Sequence, residues 1–261
     1  MDVESFVEKN RSVIYGAMLG DATIPIAEGR NTLLQIAHGV DQKDYLFHKY
    51  EMLKAVAHPP RFGDYGTHGR RWSFNTVRHK AWQKVWSVFH ENSKKRTRAG
   101  RTYIPKVITK TILASLDDKG VALWWVDDGF VSFGWNEETS QWREFGKLST
   151  CDFTFEENEL ALQWFREVYG ATGTVHLQRV QKSERTYPII YFSWQECLKI
   201  FGRISPFVPE CMKHKIDLEA AKLWKSRTLL WPHGLSVDED GEIENVEEHL
   251  RHGVGCGSYP V

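Results

Sequence analysis

One unusual segment occurs twice in this chain, and that repeat limits the possible folds more than any other feature. Residues 13–24 read VIYGAMLGDATI and residues 121–132 read VALWWVDDGFVS. Each is an apolar helix that stops at an acid and runs into strand-like sequence. Asp21 and Asp128 hold the same place in their copies, 107 residues apart. Helical periodicity covers 2–20, 41–57, 78–91, 111–127, 155–169 and 193–203. Strand character covers 22–27, 31–38, 70–76, 130–135, 142–150, 173–180 and 187–192. The order helix, two strands, helix, strand, helix therefore recurs, with one more strand before the last helix of the second copy. A period of about one hundred residues is too long for a solenoid and fits two copies of one α+β unit.

Two details of the repeat point to chemistry. Gly16 and Gly20 are four residues apart, on one helix face, where they let a second helix approach closely. A mid-helix glycine costs roughly 1 kcal/mol against alanine, so two on one face imply such packing. An acid at a helix C-terminus faces the negative end of the helix dipole. The same unfavourable choice in both copies implies a use for both carboxylates. Two close-packed helices would set Asp21 and Asp128 side by side on a pseudo-two-fold axis. Such a pair repels and stays ionised only around a cation, and hard oxygen ligands of this kind select Mg²⁺. The expected chemistry is metal-assisted phosphodiester hydrolysis.

The charge distribution suits a nucleic-acid substrate once it is divided along the chain. Net charge is zero over 261 residues, yet 229–261 hold seven acids against Arg251 alone, a net of −6. The other 228 residues therefore carry +6. With 41% hydrophobic and 26% charged residues, a globular protein is expected. No apolar run is long enough to span a bilayer, and the start MDVESFVEKN has no signal-peptide pattern. An intracellular protein with no membrane partner is the expectation, its compartment left open. Cys151, Cys197, Cys211 and Cys256 lie far apart without a CxxC pair, as suits reduced thiols.

GAMLGDA (16–22) and ALWWVDDG (122–129) resemble the two helices that name the LAGLIDADG homing endonucleases. LLQIAHG (33–39) with DYLFHKYEML (44–53) is similar to that family's second strand and following helix. WSFNTVRHKAWQKVW (72–86) resembles the third strand and the helix behind it, and YIPK (103–106) the short basic stretch before the second motif. LSTCDFTFEENELALQWF (148–165), YPIIYFS (187–193) and FVPECMKHKI (207–216) repeat the pattern. The resemblance covers about residues 10–216 and is strongest to single-chain, intron-encoded DNA nucleases. It implies an α+β fold, a pseudo-two-fold pair of αββαββα units, each with a curved antiparallel sheet forming a DNA-binding saddle. It also implies a first half over 1–105, a second over 106–216, and a C-terminal extension with the acidic tail over 217–261. The implied function is a site-specific, Mg²⁺-dependent double-strand DNA endonuclease. It would act as a monomer on a long pseudo-symmetric target and start intron homing. The alternative on this scaffold is an RNA-binding maturase that assists splicing of its group I intron, with intron RNA as partner. Retention of both motif acids favours the nuclease.

Carried over residue by residue, the resemblance makes Asp21 and Asp128 the metal-binding catalytic acids. The backbone carbonyls of Gly20 and Asp127 complete the coordination, and the Asp127 carboxyl is structural. Lys215 matches a basic residue beside the scissile phosphates. Its first-half counterpart is Arg101 or Lys95, because KKRTRAGRTYIP (94–105) has an insertion where the family has a lysine before its turn. Leu123 stands where a small residue sits in the family, with bulky Trp124 and Trp125 next to it.

Strand parity suggests which side chains face DNA. Leu34 and Ile36 fit the core face, which leaves Gln35 and His38 to the duplex. Trp72 and Phe74 fit the core as well, which leaves Arg71, Ser73 and Asn75, with Arg70 beside them. The second half offers Arg143, Lys147, His176 and Gln178. Gln, Asn and Arg read adenine and guanine edges bidentately. The basic run SKKRTRAGR (93–101), which holds Lys95, and Lys213 are expected near phosphate. His249, His252 and Cys256 have an HxxHxxxC spacing but no fourth ligand, so no zinc site is expected.

Overall fold

In the computed structural model, residues 2–25, 31–64, 69–91, 93–98, 101–136, 140–179 and 186–229 are described. His249, His252, Cys256 and nearly all of the acidic tail lie outside them. Helix α1 (Val3–Lys9) starts at Asp2, whose carboxylate accepts from the Ser5 amide. It ends at Asn10, and α2 (Arg11–Leu19) follows at once, so the helix expected over 2–20 is two. Likewise the helix expected over 111–127 is α5 (Lys110–Ala114) and α6 (Asp118–Asp128). Asp117 interrupts it by capping α6, accepting from the Gly120 amide. Every residue from Val13 to Leu19 and from Gly120 to Val126 is buried. Helices apolar all round are central ones.

Central is what α2 and α6 are. They run side by side in the same direction, with Ser12 at Asp117, Gly16 at Gly120 and Gly20 at Asp127. A Cβ added at Gly16 would land on the Gly120 carbonyl, and one added at Gly120 would land on Ser12. Gly120 is therefore the small residue of the second helix, one turn before Leu123. Trp124 and Trp125 turn away into the second half's core. Trp124 stacks on Phe165 at 5.9 Å, and Trp125 meets Phe192 at 5.9 Å and Phe201 at 5.0 Å. Because backbone atoms occupy the space at Gly16, Gly16→Ala should destabilise the protein by about 2–3 kcal/mol. Gly202, inside the later helix α8 (Trp194–Ile204), has open space around it. There the same change should stabilise by up to about 1 kcal/mol. Urea unfolding of the two variants checks both signs.

In the second half, β6 (Gly129–Asn136), β7 (Gln141–Leu148), α7 (Phe155–Tyr169), β8 (Thr174–Arg179) and β9 (Thr186–Ser193) precede α8. Their antiparallel sheet has the order β6-β7-β9-β8. The first half has β1 (Gln35–Gly39), α3 (Lys43–Leu53), β2 (Arg61–Asp64), β3 (Arg70–Asn75) and α4 (Lys80–His90), with sheet order β1-β3-β2. Of the strand expected at 22–27, residues 26 and 27 lie outside the described residues, and within 22–25 Thr23 makes the pairing, exchanging hydrogen bonds of 2.9 and 2.8 Å with Gln35. Counting that bridge, both sheets share one strand order. Strand β2 had no forecast, because RFGD shows no apolar alternation. The basic run holds a hairpin, β4 (Arg96–Arg98) with β5 (Arg101–Tyr103), too short and too charged to show a period.

Each sheet buries one face. Ile36 and Phe74 lie in the core in one half, and Leu148, Ile190 and Phe192 in the other, all at most 2% exposed. Beyond α8, short helical turns at Ser205–Phe207 and Glu210–Lys215 lead into α9 (Leu218–Leu229), which had no forecast. Among the described residues, no helix is long and apolar enough to cross a membrane. Among the described residues, Cys197 and Cys211 are free thiols.

Candidate active site

The parallel run of α2 and α6 brings Asp21 and Asp128 to the same end of the helix pair. Asp21 is half open, with 46% of its side chain exposed. Enclosure by protein, then the charge of Asp127, pushes its carboxyl up to about 6, against the pull of Lys49, Lys106 and Lys215. Asp128 is raised well above the usual carboxylate range, by burial first and then by Asp21 and Asp127. Lys106 and Lys215 oppose that rise. A carboxylate set whose ionisation is this unfavourable fits a hard divalent cation, which would relieve the repulsion.

Two partly buried lysines attend these acids. Lys215 ends the turn at Glu210–Lys215, which is anchored where Trp125 Nε1 donates to the Lys215 carbonyl at 3.0 Å. Burial lowers its amine, opposed by Asp127, Asp21 and Asp128. The other is Lys106, at the end of the YIPK stretch, to which the sequence alone assigns no role. Its Nζ donates to the carbonyls of Met18 at 2.6 Å and Gly20 at 2.7 Å, at the end of α2. Burial lowers it too, against Asp128, Asp21 and Asp127. Lys95 is exposed. Arg101 lies in β5, its side chain outside the described residues. The Gly20 carbonyl, expected as a metal ligand, thus already accepts from Lys106 and keeps one lone pair.

The Asp127 carboxyl ties the halves together. One oxygen accepts from the Asp21 amide at 3.1 Å, and the other from Tyr45 Oη at 2.8 Å. Lys49 Nζ donates to both, at 2.5 and 2.8 Å. The side chains of Lys49 and Asp127 are 1% and 0% exposed. Gly20 is where Asp127 needs it, since a Cβ there would meet that carboxyl.

His38 completes this cluster, and its place corrects the expectation that it faces DNA. It shares strand parity with Ile36 and is 4% exposed. Lys49 Nζ lies 3.0 Å from Nε2 and Gln42 Oε1 lies 3.1 Å from Nδ1. An ammonium only donates, so Nε2 accepts and Nδ1 carries the hydrogen to Gln42. Burial, and then Lys49, lower this imidazole to about 3. Its 3.6 Å approach to Asp21 is therefore not an ion pair. Asp21, His38 and Asp127 place potential ligand atoms within 4.8 Å of one another. Lys49 already supplies the cation between His38 and Asp127, so we read this trio as a brace.

His38 sets a pH dependence. Its folded value is depressed, so its contribution to stability is complete above the unfolded value near 6.5 and is lost as pH falls. Asp21, raised to about 6, acts in the opposite sense, since its contribution is lost as pH rises. Comparison with His38→Gln, which still accepts from Lys49, isolates the first effect. Between pH 7 and 5.5 the wild type should lose about 1 kcal/mol more than that variant, by denaturant titration.

Away from the acids, both sheets leave one face open. Gln35 and Asn75 lie opposite each other in register, on the face away from Ile36 and Phe74. Arg71 belongs to the same face and is partly exposed. Ser73 also has that parity, yet it is 6% exposed, being flanked by Ala37 and Arg61. That corrects its expected exposure. Arg70 is exposed at the strand end but shares the parity of Trp72. Arg143, Lys147, His176 and Gln178 all fall on the open face of the second sheet, with Lys147 partly buried and the others exposed. Lys213 donates to the Ser205 carbonyl at 3.1 Å, so its amine is held locally.

Residues 11–200 match the LAGLIDADG DNA endonuclease family. The DNA endonuclease I-ChuI of Chlamydomonas applanata is 22% identical over 232 residues, 82% of this chain and 96% of that protein. A probable intron-encoded endonuclease 1 of Wickerhamomyces canadensis is 24% identical over 209 residues, 78% of this chain and 81% of its own. Among solved structures, the homing endonuclease I-WcaI bound to its DNA recognition sequence has the same fold, with a TM-score of 0.62 at 19% identity. That match covers 82% of this chain and 92% of the other. With the paired helix-end acids and the repeated antiparallel sheets, the match over most of its length means that this chain belongs to the LAGLIDADG DNA endonuclease family.

Proposed function

We propose that this protein is a site-specific double-strand DNA endonuclease that starts intron homing, one chain covering both halves of a long pseudo-symmetric target. The observation that carries this reading is the pair of acids at adjacent helix ends, with Lys106 and Lys215 beside them, between two sheets that each leave one face open. The similar proteins named as DNA endonucleases support it. We take 1–105 and 106–216 as the halves, each serving one half-site, and 217–261 as an extension.

Asp21 and Asp128 would hold Mg²⁺ through their carboxylates, with the free lone pair of the Gly20 carbonyl and the Asp127 carbonyl as further ligands. The bound ion would supply an activated water and neutralise charge on the leaving oxygen. Lys106 and Lys215 would place positive charge beside the scissile phosphates, where the phosphorane-like charge develops. Asp127, held by Lys49 and Tyr45, would fix the Asp21 backbone and so the separation of the acids. The basic body would contribute the sequence-independent share of affinity.

The test is cleavage of a plasmid library carrying randomised inserts. Linear product should appear at one insert family with Mg²⁺ and vanish with EDTA, and light scattering should find one chain per duplex. Binding of intron RNA without cleavage of any insert would favour the maturase instead.

A further inference from the structure

The two open faces differ in chemistry. In the first sheet, β1 and β3 present Gln35, Asn75 and Arg71, with Arg61 from β2. These are hydrogen-bonding groups. In the second sheet the same face is centred on rings. Phe130, Lys147 and Tyr191 are consecutive cross-strand partners on β6, β7 and β9. Lys147 Nζ lies 4.9 Å from the Tyr191 ring centre, 5.3 Å from Phe145 and 5.8 Å from Phe130. Phe145 and Tyr191 pack at 4.6 Å, and the His176 ring sits 5.2 Å from Tyr191. Ile189, of the same parity, is 5% exposed, whereas Phe130, Phe145 and Tyr191 remain partly open. Burial among these rings lowers the Lys147 amine below its usual value.

These rings do not belong to the helix-facing core. Core packing uses the opposite parity, in which Phe192 meets Trp125 and Phe165. An apolar, ring-lined centre on a face that is otherwise basic, with Arg143 and Lys147, matches one feature of a major groove. Only thymine places a methyl group there, and aromatic side chains contact it. Lysine and arginine at the same patch suit the phosphates on either side.

Resting on the nuclease reading above, we propose that the halves read their half-sites by different chemistry. The first uses hydrogen bonds to base edges, and the second packs Phe130, Phe145 and Tyr191 against thymine methyls. These rings are then specificity-determining residues, and the second half-site is T-rich at the steps they cover.

The test begins with full-length protein and a randomised duplex pool, from which bound sequences are selected. The selected duplex is then remade with deoxyuridine for thymidine, one half-site at a time. Methyl loss in one half should weaken binding by about fourfold per contacted methyl, and in the other half by less than twofold. Phe145→Ala should reduce the sensitive half's response by the share of the methyl it contacts, about fourfold, while Asn75→Ala should leave that response intact. Equal sensitivity in both halves, or none in either, would overturn the inference while leaving the nuclease reading in place, and wild-type protein alone decides this if Phe145→Ala does not fold. A sensitivity undiminished in folded Phe145→Ala would overturn it too. A pool in which nothing is enriched would overturn the nuclease reading and the inference together.

Discussion

Asp128→Asn should leave the protein folded and bound to its target while double-strand cleavage falls by at least about a thousandfold. A metal ligand at the scissile phosphate is worth several kcal/mol of transition-state stabilisation, and each 1.36 kcal/mol is tenfold in rate. Asparagine keeps the shape of the side chain and removes the charge that, on the proposed reading, would hold the ion. The effect on stability has the opposite sign. Asp128 is raised well above the usual carboxylate range by burial and by its acidic neighbours. A raised acid contributes stability at low pH that is lost as pH rises through its folded value. At neutral pH, in EDTA, the variant should therefore be at least as stable as the wild type. Higher stability with no cleavage would mark a group kept for chemistry. Asp21→Asn should abolish cleavage likewise, with a smaller gain in stability because Asp21 is half open to solvent. Wild-type cleavage by either variant would remove that residue from the active site.

What could be read in the sequence depended on whether the signal was local. Helix α7 fell on its forecast bounds because Thr154 and Glu157 form a capping box and Gly170 ends the helix in the left-handed region, at φ 64°. Asp21 and Asp128 were legible because a repeat displays an unfavourable choice twice. Lys49 was not. It lies in KDYLFHKYEML among charges that mark a solvated face, and the residue that buries it is 78 positions away. Lys106 was hidden by its position after the turn, where only the approach of the Met18 and Gly20 carbonyls reveals its use. His38 was legible and misread: two residues after Ile36, it shares the core face of its strand. The ring-lined centre of the second sheet needed the register, since Phe130, Lys147 and Tyr191 come from three strands.

Lys49→Met should cost about 3–5 kcal/mol, the range found when one member of a buried ion pair is removed. The pair sits almost wholly out of water, at 1% and 0% exposure, so Asp127 would be left as an uncompensated charge. It would retain only the Tyr45 hydroxyl and the Asp21 amide as donors. Asp127→Asn should also be costly, because it strands the ammonium with neutral partners, the asparagine and His38 Nε2. The double variant Lys49→Met with Asp127→Asn has neither charge, and the methionine fills most of the lysine's volume. It should recover more than half of the loss, a coupling of at least about 2 kcal/mol in a double-mutant cycle. Recovery of fold need not bring recovery of cleavage. Asp127 Oδ2 fixes the Asp21 amide, and an amide at position 127 has to present its oxygen there without Lys49 to orient it. A double variant as stable as the wild type that cleaves tenfold more slowly would show that the ion pair is kept to position Asp21. If the two single losses simply add, the brace is two independent contacts, and Asp127 has no need of Lys49.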